Sequence, residues 1–146
     1  MSIEYRLDIA SIDHEFVKSI LSSSTCLMKI PPSLQSPSSG LQIALLDTVD
    51  IIKPVIKEEF GFFPSLSLLF RLNKSTLEAS KEEMMKVVSS LLAHMKNDCV
   101  FLFNGETTLL IQIEGKLKLN DTVDFWKNVD PSKLGIEYEM AHLPNL

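Results

Sequence analysis

The chain has 146 residues, a length that fits one domain spanning 1–146. A domain of that size buries about 68–70% of its unfolded surface and needs neither a metal nor a disulfide to hold its core. Its formal net charge of -5 lacks the basic footprint that nucleic-acid phosphates require, and no apolar run reaches the roughly 18–20 residues of a membrane helix.

Residues 3–9 alternate. Ile3, Tyr5, Leu7 and Ile9 fall on one face and Glu4, Arg6 and Asp8 on the other, which predicts a half-buried strand with a charged outer face. The same three charges interrupt the apolar stretch that a signal peptide would need, so the expected compartment is the cytosol. Ser11-Ile12-Asp13 offers a helix cap. Phe16, Val17, Ile20 and Leu21 follow at helical spacing, predicting a short amphipathic helix over 13–21. Residues 26–30 read as a short strand. Residues 31–40, rich in Pro and Ser, read as a loop, and 41–46 as a strand with Leu41, Ile43 and Leu45 on one face.

Residues 48–60 admit two readings. One is a helix capped by Asp50, with Pro54 in its first turn, Val55, Ile56 and Phe60 inward and Gly61 at its end. The other is a continued strand through 49–52. After the aromatic turn Phe60-Gly61-Phe62-Phe63-Pro64, the series Leu66, Leu68, Phe70, Leu72 alternates with Ser67, Leu69 and Arg71, a strand whose second face is partly covered. Ser75 with Glu78, and Ser80 with Glu83, have capping-box spacing. Met84, Val87, Val88, Leu91, Leu92 and Met95 form a helical stripe, so 76–96 is predicted to be a helix lying across the sheet.

Asn104-Gly105 joins two apolar runs and supplies the positive φ angles of a two-residue hairpin turn. A second turn at Glu114-Gly115 leads to Lys116 and Lys118, making 99–119 a three-stranded meander. Leu109, Ile111 and Ile113 are expected to face the core, with Thr108, Leu110 and Gln112 outward. The two lysines are expected to guard a free edge. A short helical turn around Phe125-Trp126 and an extended piece over 135–140 complete the chain. The resulting class is α+β: a mostly antiparallel sheet with two or three helices packed on one face and a C-terminal three-stranded meander.

Chemistry is sparse. His14, His94 and His142 lack metal-ligand spacing, no Gly-x-Ser-x-Gly elbow occurs, and the five glycines form no phosphate loop. Cys26 and Cys99 stand apart in apolar runs and read as free thiols. No catalytic, cofactor-binding or metal-binding residues are therefore assigned. Arg71, alone among apolar strand neighbours, suits a partner contact because a guanidinium pairs bidentately with carboxylates. Glu4, Arg6, Asp8 and Arg71 are the candidate partner-binding residues.

Three segments carry a resemblance. They are the opening Met1-Ser2-Ile3-Glu4-Tyr5-Arg6-Leu7-Asp8-Ile9, the stretch from Phe60-Gly61-Phe62-Phe63-Pro64 to Phe70-Arg71-Leu72-Asn73-Lys74, and the late stretch from Asp98 to Leu110 with its Phe103-Asn104-Gly105-Glu106 turn. Together they resemble the swarming-inhibition toxin immunity proteins of predatory soil bacteria. The resemblance implies a non-catalytic protein that binds and neutralises a cognate protein toxin inside the producing cell; the charge, the apolar runs and the missing motifs argue for no nucleic-acid or membrane partner and no cofactor. On the residues alone, two other readings stay open. One is a small enzyme with a pocket under the 31–40 loop. The other is a homodimeric regulatory or structural subunit.

Overall fold

The computed structural model describes residues 3–23, 28–30, 33–35 and 39–146. In chain order the strands are β1 (Ile3–Ile9), β2 (Met28–Ile30), β3 (Ser33–Gln35), β4 (Gln42–Asp47), β5 (Leu66–Leu72), β6 (Cys99–Phe103), β7 (Thr107–Ile113), β8 (Lys116–Asn120) and β9 (Glu139–Ala141). The helices are α1 (His14–Ser23), α2 (Lys53–Phe60), α3 (Leu77–His94) and α4 (Phe125–Asn128), with 3-10 turns at Lys74–Thr76 and Pro131–Leu134. Among the described residues the strands form one nine-stranded sheet in the order β2-β3-β4-β5-β1-β6-β7-β8-β9. Every pairing is antiparallel except β8 with β9.

The sheet has two faces, and each buries a different set of side chains. Tyr5, Leu7 and Ile9 of β1, Leu66, Leu68, Phe70 and Leu72 of β5, and Cys99 and Phe101 of β6 share the main core with Val17, Ile20 and Leu21 of α1. The stripe Met84, Val87, Val88, Leu91, Leu92 and Met95 of α3 packs into the same cluster, as do Trp126 of α4 and Leu134. The Trp126 indole N–H donates to the Leu109 carbonyl at 2.8 Å, so the ring closes the core without an orphaned donor. Three helices thus cover this face, in an α+β fold with the expected C-terminal meander. α2 lies on the opposite face, where Ile56 packs with Ala10, Phe62, Val100 and Leu102. Val100 and Leu102 alternate with Cys99 and Phe101, which fixes the side on which α2 sits.

Several local expectations need correction. The 31–40 segment contains a strand, β3, whose backbone pairs with both β2 and β4. The helix reading of 48–60 holds over α2, which ends at Gly61 (φ 88). Its N-cap is Ile52 with no side-chain bond, because Asp50 engages Lys53 instead, 3.4 Å away. Val55, expected inward, is exposed. Neither capping box forms at α3. Asn73 caps the preceding 3-10 turn by accepting from the Ser75 N–H at 2.8 Å, and the Ser80 hydroxyl donates to the Ser39 carbonyl at 2.7 Å.

Leu109 faces the core as expected, but from Leu110 on the facing of β7 is reversed from the alternation argument. A register shift between Phe101 and Leu102 sets Phe101 opposite Leu110 but Leu102 opposite Thr108, the two-against-one count of a β-bulge. Leu110 therefore joins the main core together with Leu109, and Gln112 is buried, donating to the carbonyls of Asn97 at 2.9 Å and Met95 at 3.3 Å. Ile111 and Ile113 pack on the α2 side. β8 is not an edge either, since β9 pairs along it and Lys118 reaches Glu139 at 3.7 Å. Residue 26 and its neighbour 27, part of the expected 26–30 strand, lie outside the described residues.

Candidate functional site

Strand register places the predicted partner-binding residues on one face. Across β4, β5 and β1, Gln42, Arg71 and Glu4 form one row; Ala44, Leu69 and Arg6 the next; Leu46, Ser67 and Asp8 the third. Residues paired in register point to the same side. Val100, next to Asp8 across the β1–β6 pair, packs against Ile56 of α2, so this is the α2 face of the sheet. α2 and Phe62 cover its β6 side, while Gln42, Arg71 and Leu46 are exposed and Ala44 and Leu69 half-buried. The covered part and the open part of this face meet along β1.

The four candidates divide accordingly. Arg71, 53% exposed, donates from Nε to the Glu4 carboxylate at 3.0 Å. Arg6 is 20% exposed, and its Nε donates to both Asp8 oxygens at 2.9 and 3.1 Å. Asp8 itself is 0% exposed. It also accepts from the Ser67 hydroxyl at 2.6 Å, and Ser67 bonds Thr48 at 3.0 Å. Asp8 is thus out of a partner's reach: the outward face of β1 is roofed at that end by residues 48–56 and by Ala10, which the strand alternation alone could not show. Burial pushes its carboxyl above the ordinary range, with Arg6 and Ser67 offsetting part of the rise. Arg6 Nη2 is buried without a hydrogen-bond partner among the described residues.

Elsewhere the chemistry is structural. His14 Nε2 lies 3.0 Å from Asp47, and His94 Nδ1 lies 2.7 Å from the Ser90 carbonyl in the last turn of α3. Among the described residues no group of three or more His, Cys, Asp or Glu side chains gathers as metal ligands. Cys99 is buried, and its thiol is pushed up to about 12 by desolvation, which leaves it without thiolate reactivity. Tyr5 is likewise pushed up to about 12 by burial, stacked on Phe101 with centroids 5.7 Å apart. A groove of about 340 Å³ runs between α3 and residues 128–134. Its wall includes Met85, Val129 and Leu134, and its rim carries Lys81, Lys86 and Lys133 against Glu78, Glu82 and Asp130. These charges cancel, and two of the lysines are paired along α3. The segment 31–40, beneath which an enzyme pocket was one expectation, lies partly outside the described residues.

A family model described as SitI3-like matches residues 3–130. The chain belongs to the SitI3-like family. SitI-type proteins are immunity proteins against swarming-inhibition toxins, so the resemblance carried by the β1, β5 and Asn104-Gly105 segments is that of the family itself. No curated protein and no solved structure matches the chain. SitI3-like membership points to an immunity protein and, at that level, to a non-enzyme with a toxin as its kind of partner. Among the described residues no helix is long and apolar enough to cross a membrane.

What sequence reasoning missed is the corner at residues 46–55. Leu46, Val49, Ile51 and Val55 are all exposed there. Its only sequence signal is an excess of aliphatics over what one short helix can bury.

Proposed function

We propose that this chain is a cytoplasmic immunity protein that binds a cognate protein toxin and neutralises it by occupying its surface, without catalysis. Family membership over residues 3–130 carries this reading. The open part of the α2 face supports the choice of surface, with Glu4, Arg71 and the exposed portion of Arg6 as contacts. Asp8 has a different role, holding Arg6 from beneath. A guanidinium fixed through Nε still presents its terminal N–H groups to an incoming acceptor, as Arg71 does; Arg6 is fixed the same way but buries its Nη2 and offers only its exposed remainder.

Co-expression with a toxin gene neighbouring its own, scored by survival, tests the function. Protection by the unaltered chain is expected, together with weaker protection by Arg71→Ala and Glu4→Ala variants that melt as the parent does. Cells that die equally with and without the chain would refute the immunity role. Full protection by the combined Glu4→Ala, Arg6→Ala and Arg71→Ala variant would refute the placement alone.

A further inference from the structure

Nine large hydrophobic side chains are exposed among the described residues, and four of them, Leu46, Val49, Ile51 and Val55, fall within ten consecutive positions. Ile51 is 75% exposed and Val49 59%. The local geometry explains why they are not core. The Ile52 N–H donates to the Val49 carbonyl at 2.9 Å, and the Ile56 N–H to the Ile52 carbonyl at 3.0 Å. That turn leads into α2 with Ile56 buried and Ile52 half-buried, so Ile51 and Val55, four residues apart, share the outward stripe. Leu46 stands in the Leu46–Ser67–Asp8 row, which makes the patch continuous with the open part of the sheet. Clustered exposed aliphatics of this kind mark interaction surfaces.

The rim has one prevailing sign. Asp47, Asp50, Glu58 and Glu59 are exposed around the patch. Against them stand two lysines, Lys53 beside Asp50 at 3.4 Å and Lys57 against the Gly61 carbonyl at 3.1 Å and over the Phe63 ring at 5.4 Å, so four carboxylates to two ammonium groups leave the rim net negative. Asp13 and Glu15 flank His14, which reaches Asp47 from α1. The whole chain carries -5, the same sign as this rim.

We infer that the β4–α2 corner is the centre of the toxin contact, and that the toxin meets it with an apolar protrusion set in a basic surface. Aliphatics without a polar rim would accept any greasy partner. The carboxylates repel acidic partners and draw basic ones. The inference rests on the immunity reading for the identity of the partner, but its surface chemistry is testable without the toxin.

The probe is a library of short random peptides displayed on phage and selected on the immobilised full chain. Recovered peptides are expected to combine Lys or Arg with Trp, Phe or Leu. Their affinity should fall about tenfold or more on the Ile51→Lys/Val55→Lys variant, as for loss of a central contact, and on raising the salt. Both positions are exposed, so the variant should melt with the parent; if it does not, Ile51→Ser replaces it. Peptides that bind the variant undiminished, acidic or uncharged winners, or no winners at all would overturn the inference. None of those results bears on survival in co-expression, so the two readings fail separately.

Discussion

Asp8 is a buried carboxylate whose neighbours pull its proton affinity in opposite directions. Desolvation raises it and is the larger effect; the Arg6 guanidinium and the Ser67 hydroxyl lower it. With a raised folded-state value, the native chain keeps this proton to higher pH than the unfolded chain does. The stability that Asp8 contributes is then fully present below about pH 3.9, the ordinary aspartate value, and declines as pH rises through the raised value. Relative to Asp8→Asn, the parent should lose stability as the pH climbs from that point, measured by urea unfolding at successive pH values. A parent that gains on the variant with rising pH would show instead that the ion pair dominates. Removing the carboxylate altogether is more damaging. Asp8→Ala strands the Arg6 Nε beside an Nη2 that already lacks a partner, and a broken buried pair costs about 3–5 kcal/mol. Arg6 retains some exposure, so the lower end, about 3 kcal/mol, is expected from the shift in denaturation midpoint.

At the scale of elements, Asn120 ties together parts of the chain that periodicity cannot relate. It is fully buried at the end of β8. Its Nδ2 donates to the Thr108 carbonyl at 2.7 Å, and its Oδ1 accepts from the Thr122 hydroxyl at 2.7 Å and from the Thr122 and Leu143 N–H groups at 3.1 and 3.4 Å. Thr108 in turn donates its hydroxyl to the Pro144 carbonyl at 2.6 Å and its N–H to Asn145 at 3.0 Å. Asn120→Ala leaves several buried groups unsatisfied at about 1–3 kcal/mol each, so a loss of at least 2 kcal/mol, about the middle of that range, is expected in urea unfolding. Asn120→Asp keeps the acceptor but sets a second oxygen against the Thr108 carbonyl, so it should recover part of the loss only in acid, where the carboxyl is protonated and can donate. The same region shows what a sequence can reveal. β1, β5 and the α3 stripe were legible because the main-core face of each is uniformly apolar. The Asn104-Gly105 turn was legible because its backbone demands those residues: φ is 56 and 75 there. β7 was not legible, since both sheet faces are covered and a bulge shifts the register midway. The capping boxes failed because Asn73 takes the Ser75 N–H and because Ser80 already lies inside α3. Asp8 looked like surface for a related reason: alternation says which side a residue faces, and only the packing of 48–56 says that the side is roofed.

At the scale of the molecule, the two faces of the sheet are covered unequally. The main core, built from α1, α3 and α4, holds the strands, while α2 covers only part of the other face and leaves aliphatic and charged groups beside it. Such a surface divides binding kinetics into two parts. Long-range attraction from a net charge of -5 governs encounter, whereas short-range burial of apolar groups governs residence. For the proposed complex with a toxin, the association rate should fall as salt rises, and Asp47→Asn with Asp50→Asn should flatten that dependence while leaving dissociation nearly unchanged. Ile51→Ala should do the reverse, speeding dissociation with little effect on association, because truncating an exposed aliphatic leaves the field of the chain intact. Stopped-flow or surface-binding kinetics on the two variants separate these contributions. Equal effects of both variants on association alone would mean that the corner steers the toxin without holding it, and that the grip lies with Arg6 and Arg71 on the open sheet.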